Sequence, residues 1–135
     1  MIAPKQADAS LYQRLGGYDV IAAVIDDLFE LMREDPRFSR FGAGRSFDSH
    51  QRARQLTVEL ICHLAGGPCF YTGRDMKASH AGLGISEQEW KANLQYTRQA
   101  LSKRGIGARE QAEFLELFER YRDEIVEGKA AAQHR

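Results

Sequence analysis

The sequence predicts an all-α protein, and three observations predict it. Long apolar stripes recur at helical spacing in four separate stretches. No segment alternates apolar and polar residues with period two. One helix start carries a full capping signature, Ser86-x-x-Glu89.

Each element has a local cause. Ser10 caps a short helix to Leu15, which Gly16-Gly17 breaks. Val20, Ile21, Val24, Ile25, Leu28, Phe29 and Met32 lie on one stripe of the first long helix. Asp35-Pro36 ends that helix, because a residue before proline avoids the helical region. Phe38 to Phe47 is broken by glycine and serine and is expected to be a loop. A second long helix is expected from about Asp48 to Ala65, with Leu56, Leu60, Ile61 and Leu64 as its face, and Gly66-Gly67-Pro68 stops it. Asp75 to His80 has room for little more than one helical turn. Ile85 and Trp90 sit at staple positions around the Ser86 cap, and Trp90, Leu94, Thr97 and Leu101 continue that helix to a basic last turn and Gly105. The last helix is expected from Ala108 to Glu127, with Phe114, Leu117, Phe118, Tyr121 and Ile125 as its stripe.

Composition bounds the function. A chain of 135 residues suggests one domain, and 43% hydrophobic residues close a core without staples. Nineteen Lys and Arg balance nineteen Asp and Glu, which gives no field to draw nucleic acid or an anionic membrane. Two cysteines, Cys62 and Cys69, argue against a disulfide scaffold. No apolar run approaches the ~20 residues of a membrane helix, and residues 1–9 lack the apolar core of a secretory signal. The expectation is a cytoplasmic single-domain protein: a flexible arm over 1–9, one domain over 10–127 and a tail over 128–135.

A plain helical bundle does not need the stretch from Gly66 to Gly84. It is long, glycine-rich and carries His80 on a scrap of helix, and such segments usually serve a site. Met76 lies one turn before His80 on the same face. Neutral imidazole is a common metal ligand, but spacing alone fits a core histidine equally well. His50 and His63 suit a helix surface, and His134 falls in the tail. Cys62, His63, Cys69 and His80 do not have paired zinc-ligand spacing, and the first two point about 100° apart on a helix. A C-x-x-C-H haem attachment, a phosphate loop and a nucleophile elbow are absent from the sequence. Cys69 has no activating neighbour in sequence and is expected to be inert.

Several motifs occur together. Leu11-Tyr12-Gln13-Arg14-Leu15-Gly16-Gly17 opens the domain, Gly66-Gly67-Pro68 ends a helix, and Tyr71-Thr72-Gly73-Arg74-Asp75-Met76 leads to His80-Ala81-Gly82-Leu83-Gly84-Ile85. In this order and spacing the chain resembles the truncated haemoglobins, most closely group I, over residues 10–126. The resemblance implies a two-over-two helical sandwich around one non-covalent haem b (iron protoporphyrin IX), with His80 as the proximal ligand of the iron. It places Met76, Ile85 and Trp90 on the proximal side, and Leu94, Phe114 and Phe118 near the porphyrin. Ala53 and Thr57 fall at the distal-helix positions that most often contact ligand, and Leu60 and Ile61 continue that wall. The Tyr71-Thr72-Gly73 element is part of the same match, and either Phe41 or Phe47 supplies a pocket aromatic. Arg74 and Lys77 flank the proximal helix within reach of a propionate.

Phe29 stands where the group usually has a tyrosine above the iron. A hydroxyl that would hydrogen-bond bound oxygen is thereby lost, and Thr57 is the nearest substitute, with His50, Arg54 or Gln55 available if the helix register shifts. The implied function is binding and transport of oxygen or another diatomic gas (O2, NO or CO) by a monomer or weak dimer. The alternative is a haem enzyme, NO dioxygenase-like or peroxidase-like, acting on NO, nitrite, peroxide or sulfide with a reductase partner. A cofactor-free helical module is the reading without the motifs.

Overall fold

The computed structural model describes residues 9–127 apart from 43 and 45, and among these every regular element is helical. The described residues form α1 (Leu11–Leu15), α2 (Tyr18–Arg33), α3 (Ser39–Gly42), α4 (Phe47–Leu64), α5 (Met76–His80), α6 (Glu87–Lys103), α7 (Ala108–Glu119) and α8 (Arg122–Ile125). A 3₁₀ turn, Pro36–Phe38, precedes α3. The expected arm and tail lie outside the described residues, except Ala9, whose carbonyl accepts from Arg14 Nε at 3.2 Å.

The long helices form two layers of two. α2 packs on both α4 and α6, and α7 packs on α6. α1 crosses α7, where Arg14 binds Glu110 at 2.8 Å and Glu113 at 2.6 Å. Local sequence chemistry sets the helix starts. Ser10 and Gln13 form a capping box on α1, and Ser86 and Glu89 form the expected one on α6. Asp75 Oδ1 accepts from Ala78 N at 2.7 Å and starts α5.

Ile21, Val24, Ile25 and Leu28 of α2, Val58, Ile61 and Cys62 of α4, Ala100 and Leu101 of α6, and Phe114 of α7 fill one core. A second, smaller cluster joins Trp90, Leu94 and Ile125, with Met76 and Ile85 against it. The face of α4 therefore differs from the sequence expectation. Val58, Ile61 and Cys62 enter the core, whereas Leu56 and Leu60 face a cavity.

Three local expectations are corrected. The 38–47 stretch is not all loop, because Asp35 caps Pro36–Phe38 and the chain continues into α3. Buried Asp35 also accepts from Tyr96 OH at 2.5 Å and binds Arg37 at 2.7 Å, which fixes that corner to α6. The last helix is not continuous. It breaks at Arg120-Tyr121, where Tyr121 takes φ −106° and ψ 4°, and α8 restarts against α5. The apolar stripe runs through the break, so periodicity conceals it.

The third correction concerns the cysteines. Cys62 and Cys69 are bonded as a disulfide, with Cα atoms 5.7 Å apart. The bridge ties the end of α4 to the loop beyond it. The same corner is tight: a Cβ on Gly67 would run into the Tyr12 ring and Cys62 Sγ. Gly67 N donates to Cys62 O at 2.8 Å, and Tyr12 N donates to Ala65 O at 2.8 Å. A crosslink closing so short a loop is expected to stabilise the fold by about 2 kcal/mol through the entropy of the unfolded chain. Chemical denaturation with and without a dithiol reductant checks this, and Cys62→Ser/Cys69→Ser should match the reduced protein and lose its response to reductant.

Candidate functional site

A cavity of about 700 Å³ opens between α2, α3 and α4 on one side and α5, the 81–85 loop, α6 and α7–α8 on the other. Its volume suits a cofactor-sized ligand, and its walls are mainly apolar. Of the residues expected at a site, α2 contributes Phe29, α3 contributes Phe41, and α4 contributes Ala53, Thr57 and Leu60. Tyr71, Arg74, Met76 and His80 line the opposite approach with Ile85, Trp90 and Phe118. Ile61 and Phe114 are instead fully buried in the main core, and Leu94 packs in the Trp90 cluster. Lys77 is exposed and outside the lining. Of the two candidate aromatics, Phe41 lines the cavity, whereas Phe47 is 74% exposed.

His80 is the last residue of α5, half-buried on the cavity wall. Its Nδ1 lies 2.9 Å from Met76 O and 2.9 Å from Ser79 Oγ. A carbonyl oxygen only accepts, so the Met76 contact puts the ring proton on Nδ1. Nε2 has no hydrogen-bond partner among the described residues. A backbone acceptor on one ring nitrogen is the arrangement that orients a metal-ligating histidine. Among the described residues no group of three or more His, Cys, Asp or Glu converges to hold a bare metal ion. A single histidine on a mainly apolar wall is a donor set compatible with a metal carried in a macrocycle.

The facing wall, on α2 and α4, offers little polarity. Thr57 Oγ1 donates to Ala53 O at 2.8 Å, a bond back along its own helix. Gln55 Nε2 donates to Tyr18 OH at 3.1 Å and to Glu59 Oε2 at 3.2 Å. Arg54 binds Asp26 at 2.8 Å. His50 lies against Gly42 and a separate cleft beside Asp26 and Glu30. Each residue named as a possible replacement for the missing tyrosine thus has another partner or another position.

Sequence reasoning missed Arg52 and Glu89, two charged residues on the lining. Arg52 is exposed at the mouth. Glu89 is buried, and its pairing with Arg40 holds its carboxyl below the usual carboxylate range. The signal for Glu89 lies in a contact between distant segments: Arg40 and Glu89 are 49 residues apart. Tyr71 OH donates to Arg74 O at 2.5 Å, and burial pushes its phenol upward, so it stays protonated. Among the described residues no helix is long and apolar enough to cross a membrane.

Known proteins agree with this architecture. The group 1 truncated haemoglobin GlbN of Mycolicibacterium paratuberculosis is 29% identical over 126 residues, covering 93% of this chain and 90% of that one. The protein of the same name from Nostoc commune is 27% identical over 100 residues, covering 74% and 82%. The Fe(III) crystal structure of Tetrahymena pyriformis truncated haemoglobin superposes with a TM-score of 0.78 at 22% identity, over 87% of this chain and 98% of that chain. The 2/2 haemoglobin of a Synechococcus species, solved in its cyanomet state with covalently attached haem, gives 0.77 at 19% identity, over 87% and 98%. The pattern of the bacterial-like globin family matches residues 10–127. The chain belongs to the bacterial-like globin family, and its likeness is to the group 1 truncated haemoglobins.

Proposed function

We propose that the cavity binds haem b, that His80 is the protein ligand of its iron, and that the protein binds small diatomic gases there. The observation that carries this reading is the commitment of His80 Nδ1 to Met76 O, which leaves Nε2 for a metal. The globin family supports haem binding in general terms. When bound, the group supplies gas coordination and one-electron redox change at iron.

This chain's residues do the rest. Met76 O holds the His80 proton on Nδ1 and fixes the ring. Ile85, Trp90 and Phe118 cover an apolar disc from the same side. Leu28, Phe29, Leu56 and Leu60 exclude water from the other. Arg52 and Arg74 lie on the lining where propionate carboxylates would meet them. With Thr57 Oγ1 turned to Ala53 O, that hydroxyl is not offered to a bound gas. Ligands that gain little charge, such as CO, are therefore favoured relative to O2. We further propose a cytoplasmic protein acting as a monomer or weak dimer.

The test is spectroscopic. After haem reconstitution the purified protein is expected to be red, with a Soret band, and ferrous resonance Raman should show an iron–histidine stretch. A colourless product overturns the haem reading, and a coloured one without that stretch overturns the assignment of His80.

A further inference from the structure

The turn after His80 is gripped by side chains from two distant parts of the chain. α5 ends at His80, and the next residue, Ala81, is extended at φ −60° and ψ 135°. Gly82 and Gly84 then adopt φ +81° and +66°. A Cβ at either would meet nothing within 4 Å, so these positions require glycine for the backbone angle and not for space. The two left-handed residues aim their N–H groups at one point. The Glu127 carboxylate sits there, accepting from Gly82 N at 3.1 Å and Gly84 N at 3.0 Å. Glu127 N in turn donates to Ile85 O at 2.8 Å. Those N–H bonds hold the Glu127 carboxyl below the usual carboxylate range, so it is charged at neutral pH.

The carbonyls of the same turn face Arg40 of α3. Its Nη2 donates to Gly84 O at 3.1 Å and to Leu83 O at 3.4 Å while pairing with Glu89 at 2.9 Å. Arg40 also lies over the Phe41 ring, 4.1 Å from its centroid. One side of the turn therefore meets an anion and the other a cation. α5 has only five residues and its own hydrogen bonds are few. Its neighbours in the fold must therefore keep His80 in place. α8 packs on α5 and delivers Glu127.

We propose that Glu127 is a positioning residue for His80: its carboxylate, bridging Gly82 N and Gly84 N, sets the turn and through it the approach of the imidazole to haem iron. The proposal rests on the assignment of His80 made above. Glu127 is not on the cavity lining and makes no hydrogen bond to His80; its direct contacts are with the backbone of the turn.

The experiment compares Glu127→Ala, Glu127→Gln and Glu127→Asp with Glu113→Ala, which removes another hydrogen-bonded carboxylate, the partner of Arg14, away from the cavity. Two readouts are taken on the reconstituted protein: the ferrous iron–histidine stretch and the rate of haem transfer to an acceptor apoglobin. Glu127→Ala and Glu127→Gln should broaden or shift the stretch and speed haem loss about tenfold, the equivalent of one lost charge-assisted bond. Glu127→Asp should restore part of both, and Glu113→Ala should leave the stretch unmoved. If Glu127→Ala does not fold, Glu127→Gln, which keeps the size and removes the charge, decides alone. A wild-type stretch that both neutral variants preserve in position and width overturns the proposal and leaves His80 as ligand. A wild-type protein with haem but no such stretch overturns the His80 assignment and the proposal together.

Discussion

His80→Ala is expected to give a folded protein that holds haem more than about a hundredfold less tightly than wild type. Replacing a group that merely orients a metal ligand costs about 10–100-fold, and removing the ligand itself costs more. Folding should survive because the imidazole bonds only to Met76 O and Ser79 Oγ within its own short helix. The main core between α2, α4, α6 and α7 does not include it. Far-ultraviolet circular dichroism should therefore be unchanged while the Soret band fades on transfer of haem to an acceptor apoglobin. Added imidazole should restore the band by filling the space left by the side chain. Full retention of haem by the variant, with an unaltered iron–histidine stretch, would assign the ligand to another residue.

Phe29→Tyr is expected to slow oxygen release by about ten- to a hundredfold. The reasoning starts from what the gas side lacks. Thr57 is satisfied by Ala53 O, Gln55 by Tyr18 and Glu59, and Arg54 by Asp26. Phe29 lines the cavity from α2, so a hydroxyl added to its ring enters the cavity beside Thr57, whose own hydroxyl is turned to Ala53 O. Dioxygen gains negative charge at iron, and a hydrogen bond to a charged partner is worth about 1.5–3 kcal/mol. Carbon monoxide gains far less, so its release should change little. Stopped-flow displacement of each gas measures both rates. Equal small changes for the two gases would show that the native wall already supplies a donor.

Much of this architecture was legible in the residues, where the cause is local. The Ser86–Glu89 box, the Pro36 stop and the Gly66-Gly67-Pro68 stop act within a few residues, and the helices begin and end there. The motif from Tyr71 to Ile85 pointed to the cavity wall through the family resemblance, since spacing alone fitted a core histidine equally well, and Tyr71, Met76, His80 and Ile85 do line the cavity. Other features depend on which distant segments meet. One apolar stripe on α4 serves two environments, and the pattern cannot tell Ile61, in the core, from Leu60, on the cavity. The α7–α8 break lies inside an unbroken stripe, because Tyr121 and Ile125 remain apolar neighbours of the cavity after the chain turns. The Cys62–Cys69 bond needs the path of the intervening loop, and two cysteines seven apart do not specify it. The partners of Glu127 and of Arg40 lie more than forty residues away in sequence.

The division of α4 between two neighbours constrains how such a protein can change. Val58 and Ile61 support the scaffold, while Leu56 and Leu60, on the same rod, shape the cavity. Substitutions selected for tighter scaffolding at the first pair would roll or shift that rod and so reshape the compartment. Substitutions at the second pair would retune gas discrimination with little burden on folding. Diversification of ligand preference among chains of this architecture should therefore concentrate on one edge of a single helix.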